Sequence, residues 1–354
     1  MHNLFDRQAT SEIRLIGGVL MLALTAFVYL YQRAFLPSYF FTDEATIFNL
    51  MNYSDLRLLD QNSFVSTAAV FSLLGPAGSQ LLLLASACMV IFYVSRKSVR
   101  LADLAFACVL MLPFVMFNLK LSKETVVILM NLLACLVCSW RMSNHRKVLL
   151  VCAIYLIYAW QFRSYYVLIV VMMMLMHIVF STQGKFRAMI VLAVLFGCLA
   201  LPGDFWNQLQ QARDIVNLDR DGLSDSKTIF SNPLSPNGIV TALPNAGFAA
   251  LRFYLAPVFS LRVQEIFLSF TLFFLTFLLF RRHNYKHPLA LLLIANFAIQ
   301  TFFEPDLGSF FRHLSAYAFC VFGIHYLPQV QPGKKKKIPR TVAPLGPSNF
   351  YRKT

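Results

Sequence analysis

Four carboxylates in this sequence stand beside long apolar segments, where a charged side chain is costly unless it has a partner or a function. They are Asp43, Glu44, Glu124 and Glu304. A carboxylate in such a place could act as a general base that removes the proton of a hydroxyl group. All four are candidate catalytic residues, although Glu124 could equally hold Lys123 or Lys120 in position.

Basic side chains occupy the same kind of position and complement the carboxylates. They are Lys123, Arg163, Arg252, Arg312 and His313. Arginine and lysine can bind a diphosphate and stabilise the charge that it carries when it leaves. These residues are therefore candidate substrate-binding residues, and the mixture suits transfer of a sugar from a polyprenyl diphosphate to a sugar hydroxyl.

Each of these charges, taken alone, has a simpler interpretation as a solvated loop charge or a local ion pair. Charges of this kind, however, come from five separate connections between apolar segments. We therefore expect them to meet in one polar site that is ringed by helices.

The composition indicates that the elements around this site lie in a membrane. The chain has 354 residues, of which 58% are hydrophobic and only 13% charged, with 35 phenylalanines. Soluble domains have about half apolar and about a quarter charged residues. The sequence predicts an all-α, polytopic integral membrane protein with about ten transmembrane helices, because its apolar runs lack the alternation of barrel strands. The predicted spans are residues 15–31, 81–94, 101–119, 125–140, 148–160, 165–180, 189–201, 265–280, 289–303 and 314–327.

The basic residues set the predicted orientation of these spans. Most of them gather at alternate connections, around residues 7–14, 96–100, 141–147, 185–187, 281–286 and 334–353. The positive-inside rule places these connections, and both termini, in the cytoplasm. The net charge of +15 is explained in this way, so we expect membrane lipids as partners and no nucleic acid.

The run 148–180 could form one long helix or two short ones. Both of its ends are basic and must lie on the same side of the membrane. The sequence therefore predicts a hairpin, which places Arg163 at or just inside the non-cytoplasmic interface.

The connections outside the spans are predicted as follows. The domain 1–327 has external loops at 32–80 and 203–264, and residues 328–354 form a disordered, basic cytoplasmic tail. Residues 64–74 form a re-entrant or interfacial helix, and residues 205–216 form an amphipathic helix on the outer membrane surface. Residues 219–244 are rich in Gly, Ser, Asn, Pro and Asp, and predict a loop.

The sequence shows no sign of a cofactor. It has no ATP-binding loop, no Rossmann glycine pattern and no zinc-ligand spacing, and the donor's own bond would supply the energy. All seven cysteines fall in apolar segments, which is typical of packed residues. We therefore expect neither a metal nor another cofactor.

Short motifs at the external ends of the spans resemble those of a known family. They are FFTDE (40–44), LSKE (121–124), RSYY (163–166), ALPNAG (242–247) and GSFFRH (308–313). With the layout of most of the chain, they look like Wzy-type or EpsG-like polysaccharide repeat-unit polymerases, which are similar in style to GT-C membrane glycosyltransferases.

The resemblance implies a GT-C-like helical bundle in a bacterial inner membrane. It implies an enzyme that acts at the outer face on a polyprenyl-diphosphate-linked oligosaccharide for capsule, O-antigen or exopolysaccharide, with other polysaccharide export proteins as partners. Arg163, Arg252 and Arg312 would bind the diphosphate with help from Lys123. Asp43 or Glu44 would be the base, with Glu124 and Glu304 as rivals.

Three other functions fit parts of the pattern. A flippase or transporter of lipid-linked glycans would also have many spans, but usually shows internal duplication, which this chain lacks. A membrane acyltransferase is expected to carry an arginine followed by a histidine in its first span, where this chain has no histidine. An accessory scaffold would tolerate replacement of Asp43, Arg163 and Arg312.

Overall fold

The computed structural model describes residues 8–52, 62–220, 229–282 and 284–324. Within these residues all regular secondary structure is helical, which confirms the predicted all-α class. The α-helices are α1 (Ser11–Phe35), α2 (Thr42–Met51), α3 (Ser63–Lys97), α4 (Leu101–Asn118), α5 (Lys123–Ser139), α6 (Asn144–Gln161), α7 (Tyr166–Ser181), α8 (Gly184–Ala200), α9 (Gly203–Arg220), α10 (Gly238–Tyr254), α11 (Ala256–Phe259), α12 (Val263–Arg282), α13 (Pro288–Phe303) and α14 (Leu307–Tyr317). Single 3₁₀ segments cover Ser38–Phe41 and Ala318–Gly323.

Several of these helices are suited to a lipid bilayer. Among the described residues, α1, α3, α4 and α12 are long and apolar enough to cross a membrane, and α8 with α9 would make a fifth span if that pair, bent by 81°, is counted as one. Helices also cover part of each of the ten predicted runs. The structure therefore supports a membrane protein with four or five long apolar helices, and ten spans stay a prediction.

The hairpin predicted within 148–180 is confirmed. α6 ends at Gln161, α7 begins at Tyr166, and the two helices pack against each other. Arg163 lies in the turn between them, at the same end of the bundle as the start of α5.

The two predicted interfacial segments are helical. Residues 64–74 belong to α3, which changes direction at Gly75, where a φ of 68° suits glycine, directly before Pro76. Residues 205–216 belong to α9, whose buried face contains Trp206 and Arg213.

Two sequence predictions were wrong. The loop predicted for 219–244 ends early, because α10 begins at Gly238 and runs through Pro244 while burying Ala242, Asn245 and Ala249. The last predicted span, 314–327, is not one α-helix, since α14 ends at Tyr317 and a 3₁₀ segment follows. Residues 325–327, the predicted tail 328–354, and residues 53–61 and 221–228 of the predicted external loops lie outside the described residues.

The bundle closes around its last segment. Every residue from Leu314 to Ile324 is buried, in contact with α4, α5 and α13 among other helices. Elsewhere, Gly17 of α1 lies close to α4, because a Cβ atom added there would be 2.8 Å from the end of the Leu104 side chain. The functional candidates on α14 are thus attached to the most enclosed element of the described fold.

A buried ion pair joins residues of the predicted cytoplasmic connections. Arg282, at the end of α12, lies 3.1 Å from the carboxylate of Asp103 in the first turn of α4, and it also donates to the carbonyl of Ile324. Nearby, the amide of Ala9 donates to the carbonyl of Val99 at 2.9 Å. Residues that the positive-inside rule places on one side therefore contact one another.

Replacing Arg282 by Met should destabilise the protein strongly. The change removes the Arg282 guanidinium from its buried pair with Asp103, and breaking a buried ion pair costs about 3–5 kcal/mol. Unfolding in mixed detergent micelles measures the loss. The matched control is Arg281→Met, which changes a less buried neighbour that lies over the ring of Phe277 and should cost about 1 kcal/mol or less. Equal effects of the two changes would contradict this assignment.

Candidate functional site

Three side chains form a partly exposed group that we call the rim, namely Asp43, Lys123 and Arg312. Arg312 Nη1 lies 2.7 Å from Asp43 Oδ2, and Lys123 Nζ lies 3.9 Å from the same oxygen. Their side chains are 18%, 13% and 19% exposed, respectively, for Asp43, Lys123 and Arg312. The rim is therefore the part of the cluster that a ligand can reach.

Beneath the rim lies a buried quartet formed by Glu124, Arg163, Glu304 and His313. The Glu124 side chain is fully buried, and its Oε1 atom lies 2.9 Å from His313 Nε2 and 3.7 Å from Arg163 Nη2. Arg312 joins the rim to this quartet, because its Nε atom lies 3.5 Å from the same Glu124 oxygen. Three positive or protonatable groups thus surround one carboxylate oxygen.

The imidazole of His313 lies between two carboxylates. Its Nε2 atom faces Glu124, and its Nδ1 atom contacts Glu304 Oε1. The same Nε2 atom also lies 3.2 Å from Arg163 Nη1. The ring therefore links Glu304 on one side to both Glu124 and Arg163 on the other.

Two helix N-termini and the helix α14 bring these groups together. Asp43 lies in the first turn of α2, and Lys123 and Glu124 open α5. α14 begins after Asp306, whose side chain accepts a hydrogen bond from the Ser309 amide at 2.7 Å. The positive ends of these helix dipoles favour carboxylates, and they would equally favour an anionic ligand.

Burial and charge shift the pKa values of two side chains beside α5. Lys120 and Lys123 lie outside the predicted spans, and burial lowers the pKa of each to about 8. The positive charge of Arg312 lowers both further, against an opposing effect of Asp43 and Glu124. Each lysine therefore loses its charge near pH 8.

The pKa of Glu304, which follows the end of α13, is lowered, as is typical of a carboxylate that is paired with a cation. Burial acts to raise it, but the charge and hydrogen bond of His313 and a hydrogen bond from Ser309 outweigh burial and hold it at about 2. Glu304 is therefore ionised at neutral pH and is a weak base. Among the described residues no group donates a hydrogen bond to the buried Oε2 atom of Glu304 or to either oxygen of Glu124, although ion-pair contacts reach Glu124 Oε1.

Glu44 and Arg252 lie apart from this cluster. Glu44 pairs with Arg33 at 2.8 Å, and burial raises its pKa while the Arg33 charge opposes the rise. Arg252 lies over the ring of Phe259 at 4.3 Å, and none of its described contacts is with the rim or the quartet. The structure thus brings together seven of the nine candidate residues.

Two further cations near the site were not assigned a role from the sequence. Lys120 is buried 4.6 Å from the centre of the Phe40 ring, where the aromatic face stabilises its charge. Arg213 of α9 is almost completely buried and donates to the main chain of Glu304. It lies in the predicted amphipathic helix 205–216, where nothing in the sequence distinguishes it from the other polar residues.

The cluster offers cations that could bind an anionic ligand and carboxylates that could accept hydrogen bonds from hydroxyl groups. Four cationic side chains face three carboxylates before His313 is counted, namely Lys120, Lys123, Arg163 and Arg312 against Asp43, Glu124 and Glu304. In the described part of the chain, His, Cys, Asp and Glu side chains form no group of three or more that could hold a metal ion.

Comparison with protein-family models, characterised proteins and solved structures finds no match to this chain.

Affinity of the site for a diphosphate diester, whose own charge is constant between pH 7 and 10, should fall as the pH rises through about 8. Lys120 and Lys123 bind protons less tightly here than in the unfolded chain, so they become neutral first in the folded protein. Losing a charge-assisted hydrogen bond should weaken binding at least about tenfold. Isothermal titration of the protein in nanodiscs measures it.

The matched variant for this titration is Lys123→Arg, which stays charged at high pH. It should bind the diester at pH 9.5 more tightly than the natural protein does. Affinity that is constant from pH 7 to 10 in the natural protein would show that neither lysine contacts the ligand.

Proposed function

We propose that this protein is a membrane glycosyltransferase that polymerises or extends a polyprenyl-diphosphate-linked glycan at the outer face of a bacterial inner membrane. The observation that carries the proposal is the position of Arg312. Its guanidinium is partly exposed, it pairs with Asp43 at the rim, and it is held from beneath by Glu124. A guanidinium in this setting is suited to a phosphate ligand that arrives from outside.

The donor diphosphate would bind at the rim. Its oxygens replace Asp43 as the partner of Arg312, with Lys123 beside them, and the positive ends of α2 and α5 add to the favourable potential. The buried quartet keeps Arg312 in place during this exchange, because Glu124 contacts its Nε atom and leaves Nη1 for the ligand. The polyprenyl chain would lie in the surrounding lipid.

The same exchange supplies the base. When Arg312 turns to the diphosphate, the Asp43 carboxylate loses its closest counter-ion and can accept the proton of the acceptor hydroxyl. The hydroxyl oxygen then forms a bond to the anomeric carbon, and the bond from that carbon to the diphosphate oxygen breaks. The electron pair leaves with the diphosphate, whose charge Arg312 and Lys123 stabilise.

The other carboxylates are less suited to be the base. Glu304 has a pKa of about 2 and is held by His313, and Glu44 is paired with Arg33 away from Arg312. Glu124 has a free Oε2 atom, but its side chain has no exposed surface. We therefore assign Asp43 as the base and Glu124 as the residue that positions the guanidinium groups.

Arg312→Met and Asp43→Asn should each reduce glycan transfer by a factor of about 100 or more, the usual effect of losing a charge-stabilising group or a general base. The measurement uses protein in liposomes with a polyprenyl-diphosphate-linked oligosaccharide and follows the length of the glycan. Arg252→Met is the control, since Arg252 lies outside the cluster, and it should retain activity within about threefold.

Two results would contradict the proposed function. One is Arg312→Met protein that is folded and as active as the natural protein. The other is movement of the lipid-linked substrate between leaflets without any growth of the glycan, which would identify a flippase.

A further inference from the structure

The amphipathic helix α9 turns a polar face towards the protein. Trp206, Gln210, Arg213 and Asn217 are buried along one side, while Ile215 and Leu218 are 56% and 73% exposed. Ile215 and Leu218 can thus contact lipid, as expected for an amphipathic helix at a membrane surface. The buried polar stripe needs partners within the protein, and they lead to the functional site.

Arg213 makes the central contacts of this stripe. Its Nε atom donates to the Glu304 carbonyl at 2.9 Å, its Nη2 atom donates to the Thr301 carbonyl, and its Nη1 atom donates to Asn232 Oδ1 at 2.9 Å. The guanidinium also lies 4.7 Å from the centre of the Phe230 ring. With 1% of its surface exposed, Arg213 is among the largest fully buried side chains of the described structure.

The two carbonyls belong to the C-terminal end of α13. Carbonyl groups in the last turn of a helix have no partner within the helix, and a positive charge there is favoured by the helix dipole. Arg213 supplies both the donors and the charge. It therefore fixes the main chain at Glu304, the residue whose side chain contacts His313.

A second contact holds the following residues. Ile229 forms an isolated antiparallel bridge with Asp306, the residue that caps the start of α14. The segment 304–306 is thus fixed by Arg213 on one side and by Ile229 on the other. Because this segment carries Glu304 and starts the helix that bears Arg312 and His313, its position sets the geometry of the site.

We propose that Arg213 is a positioning residue that holds Glu304 against His313 and couples α9 to the buried quartet. Its expected effect on catalysis rests on the proposed function, whereas its effect on His313 does not. Without the guanidinium, two buried carbonyls lose their donors and the segment 304–306 can move. His313 then loses one of its two carboxylate partners.

Modification of His313 by diethyl pyrocarbonate, followed by mass spectrometry, tests this proposal without any glycan substrate. In the natural protein both ring nitrogens face carboxylates and the side chain is 8% exposed, so modification should be slow. In Arg213→Met it should be at least about tenfold faster, because each lost hydrogen bond to a charged group shifts an opening equilibrium by about that factor. His145, which is exposed, is the internal reference.

The control is Arg252→Met, which removes another external arginine that does not contact the segment 304–306, and it should leave the rate unchanged. Arg213→Lys keeps the positive charge but has a single ammonium group in place of the three guanidinium nitrogens. Its rate of His313 modification should therefore lie between those of the natural protein and Arg213→Met. If Arg213→Met does not fold, as judged by protease resistance, Arg213→Lys decides the question. A natural rate at His313 in folded variant protein overturns the proposal.

Glycan transfer measured on the same variants separates the two proposals. If both hold, Arg213→Met lowers the rate of transfer while affinity for a diphosphate diester, which depends on the rim, changes by less than about threefold. Faster His313 modification together with no transfer by the natural protein supports the positioning role and contradicts the proposed function.

Discussion

The charge of a fully buried carboxylate must be neutralised by neighbouring groups, and in this protein the fully buried carboxylate is Glu124. An uncompensated charge in such a place costs several kcal/mol, so the fold is stable only if cations arrive beside it. Arg163 comes from the turn between α6 and α7, and Arg312 and His313 come from α14. The pairing of one carboxylate therefore fixes how three separate parts of the chain meet.

Exposure changes steadily from this carboxylate outward. Glu124 has no exposed surface, Arg163 and His313 have 7% and 8%, and Arg312 and Asp43 have 19% and 18%. The inner contacts are shielded from water and hold the cations in place, while the contact between Arg312 and Asp43 can be exchanged. In the proposed mechanism, an incoming phosphate replaces Asp43 as the partner of Arg312 while the inner contacts keep the guanidinium in place.

Much of this arrangement followed from the sequence, because long apolar runs must be helices and alternate basic connections must share a side. The sequence thus predicted the α6–α7 hairpin and the meeting of Asp43, Glu124, Arg163 and Arg312. It could not identify the partners of each charge, which depend on three-dimensional packing. Arg252 was assigned to the site by its position beside a span, yet it faces Phe259.

Other errors have equally physical causes. Residues 238–244 have the composition of a loop, but α10 forms there because it buries Ala242 and Asn245 against the protein. Nothing in the sequence separates Arg213 from the other polar residues of its amphipathic helix, and its burial is explained by the two buried carbonyls at the end of α13 that lack helical donors. Helices such as α13 are apolar but short, so their length does not decide whether they cross the membrane. The number of spans therefore stays a prediction.

The most direct test of the central claim is the pool of lipid-linked glycans in cells that lack this protein. If the cluster around Arg312 transfers glycan from a polyprenyl diphosphate, single repeat units should accumulate on the outer leaflet and long chains should disappear. An unchanged distribution of lipid-linked and polymeric glycan would contradict the account.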